Sequence, residues 1–327
     1  MSRKNVIRNL FFSATATLLL DSTCIAAAGL EILYPVDKKI YHEAYASITV
    51  KLHDRNISKV VIITDSNERY PLELTKECDD VCSKTLKLRL GENGIRVWGY
   101  KGEKLAYEVK SELYFVSQID KGFTHPPVTY REHSFHTDEN EKICADCHDM
   151  SVNERGGTAF MNVEESNCYV CHKNITAGKY AHAPAVNWLC SSCHGGKSAD
   201  QNKKLTGQPK YRVSDPVASA CYRCHDKNKQ RWDAKKYKHL PVDAGRCVKC
   251  HDPHASDTVM FVREVPNVLC LKCHGDKKLS SQMRGNSKCP GTEAETCTRC
   301  HNPHASDHDF FLDTARTHTA DPDVNIR

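Results

Sequence analysis

Two stretches of the chain carry different patterns of apolar and polar positions. From Gly29 to Ser117 apolar residues alternate with polar ones at the period of a half-buried strand. Ile48, Val50 and Leu52 form one such set, Leu86, Leu88 and Leu90 a second, and Ile95 with Val97 a third. Val60 to Thr64 and Leu113 to Val116 are further β-rich runs, and Gly91-Glu92-Asn93-Gly94 reads as a turn between strands. Beyond residue 132 sustained periodicity is lost, and Lys, Asp, His, Gly and Pro dominate. As bare polypeptide that part buries too little apolar surface to offset the entropy of ordering it, so something else must supply its core.

About seven strands in roughly ninety residues predict an immunoglobulin-like β-sandwich over residues 29–118. It resembles the β-sandwich modules of exported bacterial proteins. Gly122 to Pro127 predicts a linker, placed at 119–131, and residues 132–327 form the second domain. Residues 1–28 read as a signal peptide. Arg3, Lys4 and Arg8 precede an apolar run from Leu10 to Leu20, and Ala26-Ala27-Ala28 offers a cleavage site before Gly29. That run is short for a membrane span. The competing reading is a lipoprotein anchored through Cys24, although Asp21 stands where such a site wants an aliphatic residue.

Composition changes the picture through its 18 cysteines. Only Cys78 and Cys82 fall in the β-rich part, and fifteen lie between Cys144 and Cys300. The balance of 46 basic against 41 acidic residues gives a net charge of +5, with no basic block of the kind nucleic acid requires. Fourteen of the cysteines fall into seven Cys-x-x-Cys-His motifs: Cys144/Cys147/His148, Cys168/Cys171/His172, Cys190/Cys193/His194, Cys221/Cys224/His225, Cys247/Cys250/His251, Cys270/Cys273/His274 and Cys297/Cys300/His301. On a turn of helix, residues three and four apart share one face, so two thiols can bond a porphyrin's vinyl groups while the next imidazole reaches the iron. A zinc site needs paired Cys-x-x-Cys units without a His after each, and a disulfide scaffold has no use for the His. The chemistry is covalent attachment of haem c, seven per chain, with those seven histidines as proximal iron ligands.

The motifs build a larger repeat. His136, His182 and His239 stand eight residues before the first, third and fifth motifs, and Cys-His251-Asp-Pro-His254-Ala-Ser-Asp matches Cys-His301-Asn-Pro-His304-Ala-Ser-Asp. Over residues 133–308 the chain resembles the multihaem c-type cytochromes with doubled CxxCH repeats of metal-reducing and nitrite-ammonifying bacteria. The resemblance implies electron transfer, six-coordinate haems, and short helices and coil packed around closely stacked macrocycles.

Candidate distal ligands are His133, His136, His182, His239, His254 and His304, with the seventh drawn from His125, His308 or His318. That is enough for two histidines on every iron, which closes each to substrate and holds its potential low. His254 and His304 are expected to ligate a haem other than that of their own motif, because each lies on the same side as its proximal neighbour. Met150, Met161, Met260 and Met283 read as gap-fillers. Cys78 and Cys82 read as a local disulfide in an oxidising compartment. Cys289 stands eight residues before the seventh motif, in the place of an imidazole, as an iron ligand, a disulfide partner or a free thiol.

Haem crowding on this scale predicts hopping from haem to haem, and no catalytic residue is expected. The expected protein is an electron carrier in the periplasm or at the outer surface. Its partners are other redox proteins (cytochromes, an outer-membrane conduit) or an extracellular acceptor, with self-assembly into a filament and reduction of a small oxyanion as alternatives. Intact-mass measurement of the exported chain should show a start at Gly29 and seven haem additions. A stable product with fewer would mean that one motif is not used.

Overall fold

A computed structural model describes residues 29–74, 80–153, 165–194, 209–275 and 297–313. The expected signal peptide, Cys24, Cys78, Met161, Met283, Cys289 and His318 lie outside the described residues.

The alternating segments form eight strands: β1 Leu30–Tyr34, β2 Lys39–Tyr41, β3 Tyr45–Leu52, β4 Lys59–Thr64, β5 Arg69–Leu72, β6 Val81–Lys87, β7 Gly91–Lys101 and β8 Lys104–Phe115. They make two sheets, one in the order β1-β3-β6 and one in the order β2-β8-β7-β4-β5. Neighbours run antiparallel except β2 and β8, which are parallel. Leu30, Ile48, Val50 and Leu86 from the first sheet meet Val60, Ile62, Ile95, Val97 and Leu113 from the second in one continuous apolar core. Alternation works because successive side chains leave a strand on opposite faces, so one face of each sheet is apolar throughout. Cys82 is buried in this core and disulfide-bonded.

Two sequence expectations change. Gly91 to Gly94 is not a turn but the first part of β7, paired with Glu112 to Phe115 of β8. The chain reverses just before it. The Asn93 amide takes a hydrogen bond from the Arg89 N–H and gives others to the carbonyls of Arg89 and Gly91, while Gly91 takes a φ of +86°. The segment placed as a linker, 119–131, packs back on the sandwich. Tyr130 is buried with Ile40, Tyr114 and Val116, and Arg131 exchanges backbone hydrogen bonds with Lys38 and Ile40.

The second region has no comparable core. Its helices are short: α1 Lys142–Ala145, α2 Tyr169–His172, α3 Ala183–Val186, α4 Ser191–His194, α5 Ala218–Cys221, α6 Asp226–Asp233, α7 Leu240–Asp243 and α8 Pro266–His274. Among the described residues its buried apolar side chains are Trp188, Ala218, Ala220, Leu269 and Ala305. Leu240, Met260 and Phe310 are 76%, 75% and 71% exposed, leaving apolar surface for another group to cover. Polypeptide alone does not make this region's interior. No helix among the described residues is long and apolar enough to cross a membrane.

The separation of the two cores has a consequence for stability. Ile62→Ala, at a fully buried position, should destabilise the sandwich by about 2–5 kcal/mol. Denaturant titration followed by far-ultraviolet circular dichroism would measure it, and the visible haem spectrum should stay as in the parent protein.

Candidate haem-iron sites

Each motif forms one tight turn. The backbone N–H of its histidine donates to the carbonyl of its first cysteine, as in His148 to Cys144 (2.8 Å), His172 to Cys168 (3.0 Å), His194 to Cys190 (2.8 Å), His225 to Cys221 (3.0 Å), His251 to Cys247 (3.0 Å) and His301 to Cys297 (3.0 Å). The sixth motif lies within α8. That turn puts two thiols and one imidazole on a shared side of the backbone.

Tertiary structure then brings histidines together in twos. His136 faces His172 with ring centroids 6.0 Å apart, His182 faces His225 at 6.2 Å, and His239 faces His274 at 6.0 Å. His254 faces His194 at 6.1 Å and His304 faces His251 at 6.0 Å, with ring planes within 8° and 11° of parallel. Imidazole nitrogens sit about 2 Å from a bound metal ion, so two rings flanking one iron have centroids roughly 6 Å apart. Direct ring stacking is closer: Trp232 lies 4.4 Å from His304. The histidine pairs have the separation of a shared iron.

A register emerges. The histidine eight residues before an odd-numbered motif faces the proximal histidine of the following even motif. The histidine three residues after the fifth or seventh motif's own histidine faces the proximal histidine two motifs earlier.

Two small β-ladders hold that register. Strand β9, Tyr180–Ala181, pairs with β11, Ala255–Ser256, and β10, Tyr237–Lys238, pairs with β12, Ala305–Ser306. The His182 N–H donates to the carbonyl of His254, and the His239 N–H to that of His304, each at 2.9 Å. Side chains repeat the pattern: Nδ1 of His182 donates to the Pro253 carbonyl and Nδ1 of His239 to that of Pro303, both at 2.9 Å. After the fifth and seventh motifs the backbone turns at positive φ through Met260-Phe261 and Phe310-Phe311. Such conformations cost non-glycine residues of order 1–3 kcal/mol each. Here they aim the Met260 and Phe310 carbonyls at Nδ1 of His251 (2.8 Å) and His301 (2.6 Å). An Nδ1 engaged as donor leaves Nε2 as the lone-pair nitrogen that a metal requires.

The third motif is followed by Gly195-Gly196-Lys197, not Asp-Pro-His or Asn-Pro-His, so the sequence supplies no loop histidine there for the first unit. Glu141 serves there instead, accepting from Nδ1 of His136 at 2.9 Å. Lys210 pairs with Glu141 and Asp138, bonds that push its ammonium up to about 12. The Tyr211 carbonyl accepts from Nδ1 of His194 at 3.2 Å.

Burial and neighbouring imidazoles hold His172 and His304 down to about 4, and burial lowers His182, His194 and His239 as well. These rings are therefore neutral at pH 7, the form that binds metal. His254 differs. Burial works to lower it, but Asp252 and Glu43 outweigh burial and raise it.

Cysteines of successive motifs also adjoin. Cys221 hydrogen-bonds Cys247, which pushes Cys221 up and brings Cys247 down to about 7. Burial, and then the charge and hydrogen bond of Cys297, push Cys270 up to about 11. Burial raises Cys193 and Cys250, with Cys224 and Cys273 adding to the effect. It raises Cys144 too, helped by Cys171 and then by Cys147 of its own motif.

The first motif stands apart from the second to sixth. Cys147 and His148 are both exposed, as are Cys171 with His172, Cys224 with His225 and Cys273 with His274, but among the described residues no second histidine ring faces His148. The expected attachment through Cys147 and ligation by His148 therefore stand on the motif itself, without the packing that supports the second to sixth sites. Each of the exposed Cys147, Cys171, Cys224 and Cys273 is the second cysteine of its motif, and the first is half-buried in every case.

Other candidates sit apart from these pairs. His133 lies by Tyr34 (6.2 Å between centroids) and Asn140, His125 hydrogen-bonds Thr124 at 2.8 Å, and the half-buried His308 donates its backbone N–H to Ser306. Glu141, the Pro253 and Pro303 carbonyls, Asp252 and Glu43 escaped the sequence reading. Only the matching Asp-Pro-His and Asn-Pro-His loops could have pointed to any of them.

A family profile described as "Doubled CXXCH motif" matches residues 182–230, 239–279 and 290–321. Its first two repeats begin at His182 and His239, so each takes in two motifs and the histidine that faces the second of them. Together with the motifs, this marks the chain as a multihaem c-type cytochrome with covalently bound haem c. Similar solved structures include an engineered protein (10% identity over 27% of this chain and 20% of that one, TM-score 0.23). Others are fibronectin(III)-like modules of Clostridium thermocellum CbhA (15%, over 26% and 94%, TM-score 0.21) and a Cellulomonas fimi endo-beta-1,4-mannanase double mutant (10%, over 26% and 17%, TM-score 0.20). The chain spans a fifth of that engineered protein's length. No curated protein matches it.

The β9–β11 ladder leaves no room at Gly178, where an added Cβ would lie 2.8 Å from the Ser256 nitrogen and 3.0 Å from the Ala255 side chain. Gly178→Ala should therefore cost about 1–3 kcal/mol by forcing backbone to shift. Thermal unfolding of the holo-protein would measure it, alongside a change in the low-spin signals of the irons facing His182 and His254.

Proposed function

We propose that the chain is an electron relay of seven haems c, exported to the periplasm or outer surface behind its immunoglobulin-like module, and not an enzyme. One observation carries this reading: five pairs of imidazoles, each made of one motif histidine and one histidine from elsewhere in the chain, stand 6.0–6.2 Å apart. The haem iron supplies the redox chemistry, cycling between ferric and ferrous states. The protein's part is to hold two neutral imidazoles per iron, fix their tautomers through Nδ1, and leave no position for substrate on the second to sixth sites. Two histidines hold the potential below that of a His/Met cytochrome. The adjoining cysteines join the first motif to the second and run from the third to the seventh, which supports a path along those stretches, fed by and delivering to other redox proteins or an external acceptor.

The register leaves the two ends over. Lys197 stands where the first motif's distal histidine would be by the +3 rule, which leaves His133 as the candidate distal ligand for the haem bonded through Cys144 and Cys147. The seventh motif draws on one of His125, His308 and His318. Cys289, eight residues before the seventh motif, takes the place that His136, His182 and His239 hold before the first, third and fifth.

Low-temperature EPR of the oxidised protein should show low-spin iron throughout, and carbon monoxide should not bind the second to sixth haems after reduction. His304→Ala should convert one haem of seven to a high-spin, CO-binding form. A parent protein with a high-spin iron would favour the oxyanion reductase, and an unchanged His304→Ala spectrum would discard the pairing.

A further inference from the structure

The chain contains its own comparison. The fifth and seventh motifs are followed by near-identical loops, and each places a histidine against the proximal histidine two motifs earlier, at 6.1 Å for His254 and His194 and 6.0 Å for His304 and His251. Both loops use the residue two before that histidine to accept its backbone N–H at 3.0 Å: Asp252 Oδ1 for His254, Asn302 Oδ1 for His304. The backbone geometry is the same and the charge is not.

Around His254 a second carboxylate joins. Glu43, from the loop between β2 and β3, brings Oε1 to 3.9 Å from Nδ1 of His254, and Asp252 Oδ1 lies 3.6 Å from the same atom. That Nδ1 is buried and has no hydrogen-bond partner of its own, whereas the Nδ1 atoms of His182, His239, His194, His251 and His301 donate to backbone carbonyls. Arg263 is the cation at hand, 3.1 Å from Asp252 Oδ2, and its Nε is taken by the Val248 carbonyl. Arg263 and His42 act on Glu43 only through space. His304 has the neutral Asn302 amide beside it and the Trp232 ring stacked on it at 4.4 Å.

Carboxylates beside the outer nitrogen of a metal-bound imidazole make it a stronger donor and favour the more positive metal state. Their negative charge acts in the same sense, Asp252 from a half-buried position and Glu43 from a more exposed one where solvent screens it further. We infer that Glu43 and Asp252 are potential-setting residues that hold the third haem below the fifth, so that the β-sandwich tunes the relay through a single side chain. This rests on the reading that His194 and His254 share an iron. It gives the N-terminal domain a task in electron transfer: an electron arriving at the third site is released readily toward the fifth.

The test is a potentiometric titration of the full-length holo-protein, resolved haem by haem with EPR. His254→Met first assigns the third haem, as the low-spin signal it alters. Glu43→Gln and Asp252→Asn should each raise the midpoint of that haem, by up to about tenfold in its reduction equilibrium, or 59 mV for one electron. Glu43→Gln should leave the other six steps in place, and Asp252→Asn should leave all but that of the fifth haem, whose proximal His251 adjoins Asp252 in the chain. Asn302→Asp, the reverse change in the sister loop, should lower the fifth haem's midpoint in the same measurement. If His254→Met alters no low-spin signal, the shared-iron reading and the inference fall together. If it alters one signal, but neither carboxylate variant moves that haem's midpoint, the inference alone is overturned. Three variants in three loops keep the result readable should one of them fail to fold.

Discussion

In the proposed relay each iron must be gripped from both sides by imidazoles that the sequence keeps far apart, and the rest of the haem region follows from that requirement. His194 is sixty residues from His254, and His251 is fifty-three from His304. Bringing such partners to 6.0–6.2 Å closes long loops, at an entropic cost that this region's few buried apolar side chains cannot offset alone. Covalent thioether links and two axial bonds per iron supply what an apolar core supplies in the sandwich. The exposed Leu240, Met260 and Phe310 fit the same account, as surface that packs on macrocycles and not on protein.

The backbone is shaped to serve those imidazoles. Two-residue ladders, strained turns at Phe261 and Phe311, and prolines at 253 and 303 all place carbonyl oxygens on Nδ1 atoms. This is the reverse of the division of labour in the sandwich, where the backbone satisfies itself in ladders and side chains only fill space. Where the third motif lacks the loop, Glu141 and Lys210 take over the same duty with charge. The outer contacts therefore vary among the five imidazole pairs while the pairs keep a separation of 6.0–6.2 Å, an arrangement by which one repeat could hold irons of different potential.

The two regions also touch. Tyr34 packs edge-on against Phe135 at 4.8 Å, Lys39 bonds the His133 carbonyl, Lys272 pairs with Asp120, and Glu43 reaches His254. The segment read as a linker is part of this seam, because Tyr130 and Arg131 complete the sandwich before the first motif begins. A segment rich in Gly, Thr and Pro looked detachable only because its partners, Lys38 and Ile40, lie ninety residues earlier.

The sequence by itself determined what is written within a few residues of itself. The seven Cys-x-x-Cys-His turns, the β period of residues 29–118, and the histidines at fixed offsets from the motifs were all legible there, because each depends on local geometry of helix or strand. The start of β7 was misread, because Asn93 closes the turn through its side chain and leaves no mark in the apolar pattern. The exposure of the second cysteine in the first, second, fourth and sixth motifs was hidden too, since all seven motifs read alike. Which histidine faces which was decided only by tertiary structure. His182 and His254 meet because β9 and β11 pair across seventy-odd residues, and no periodicity encodes a ladder two residues long. The charge around each imidazole was likewise out of reach, since Glu43 and His254 lie in different domains and their effect depends on a separation of a few ångströms that only the folded chain fixes.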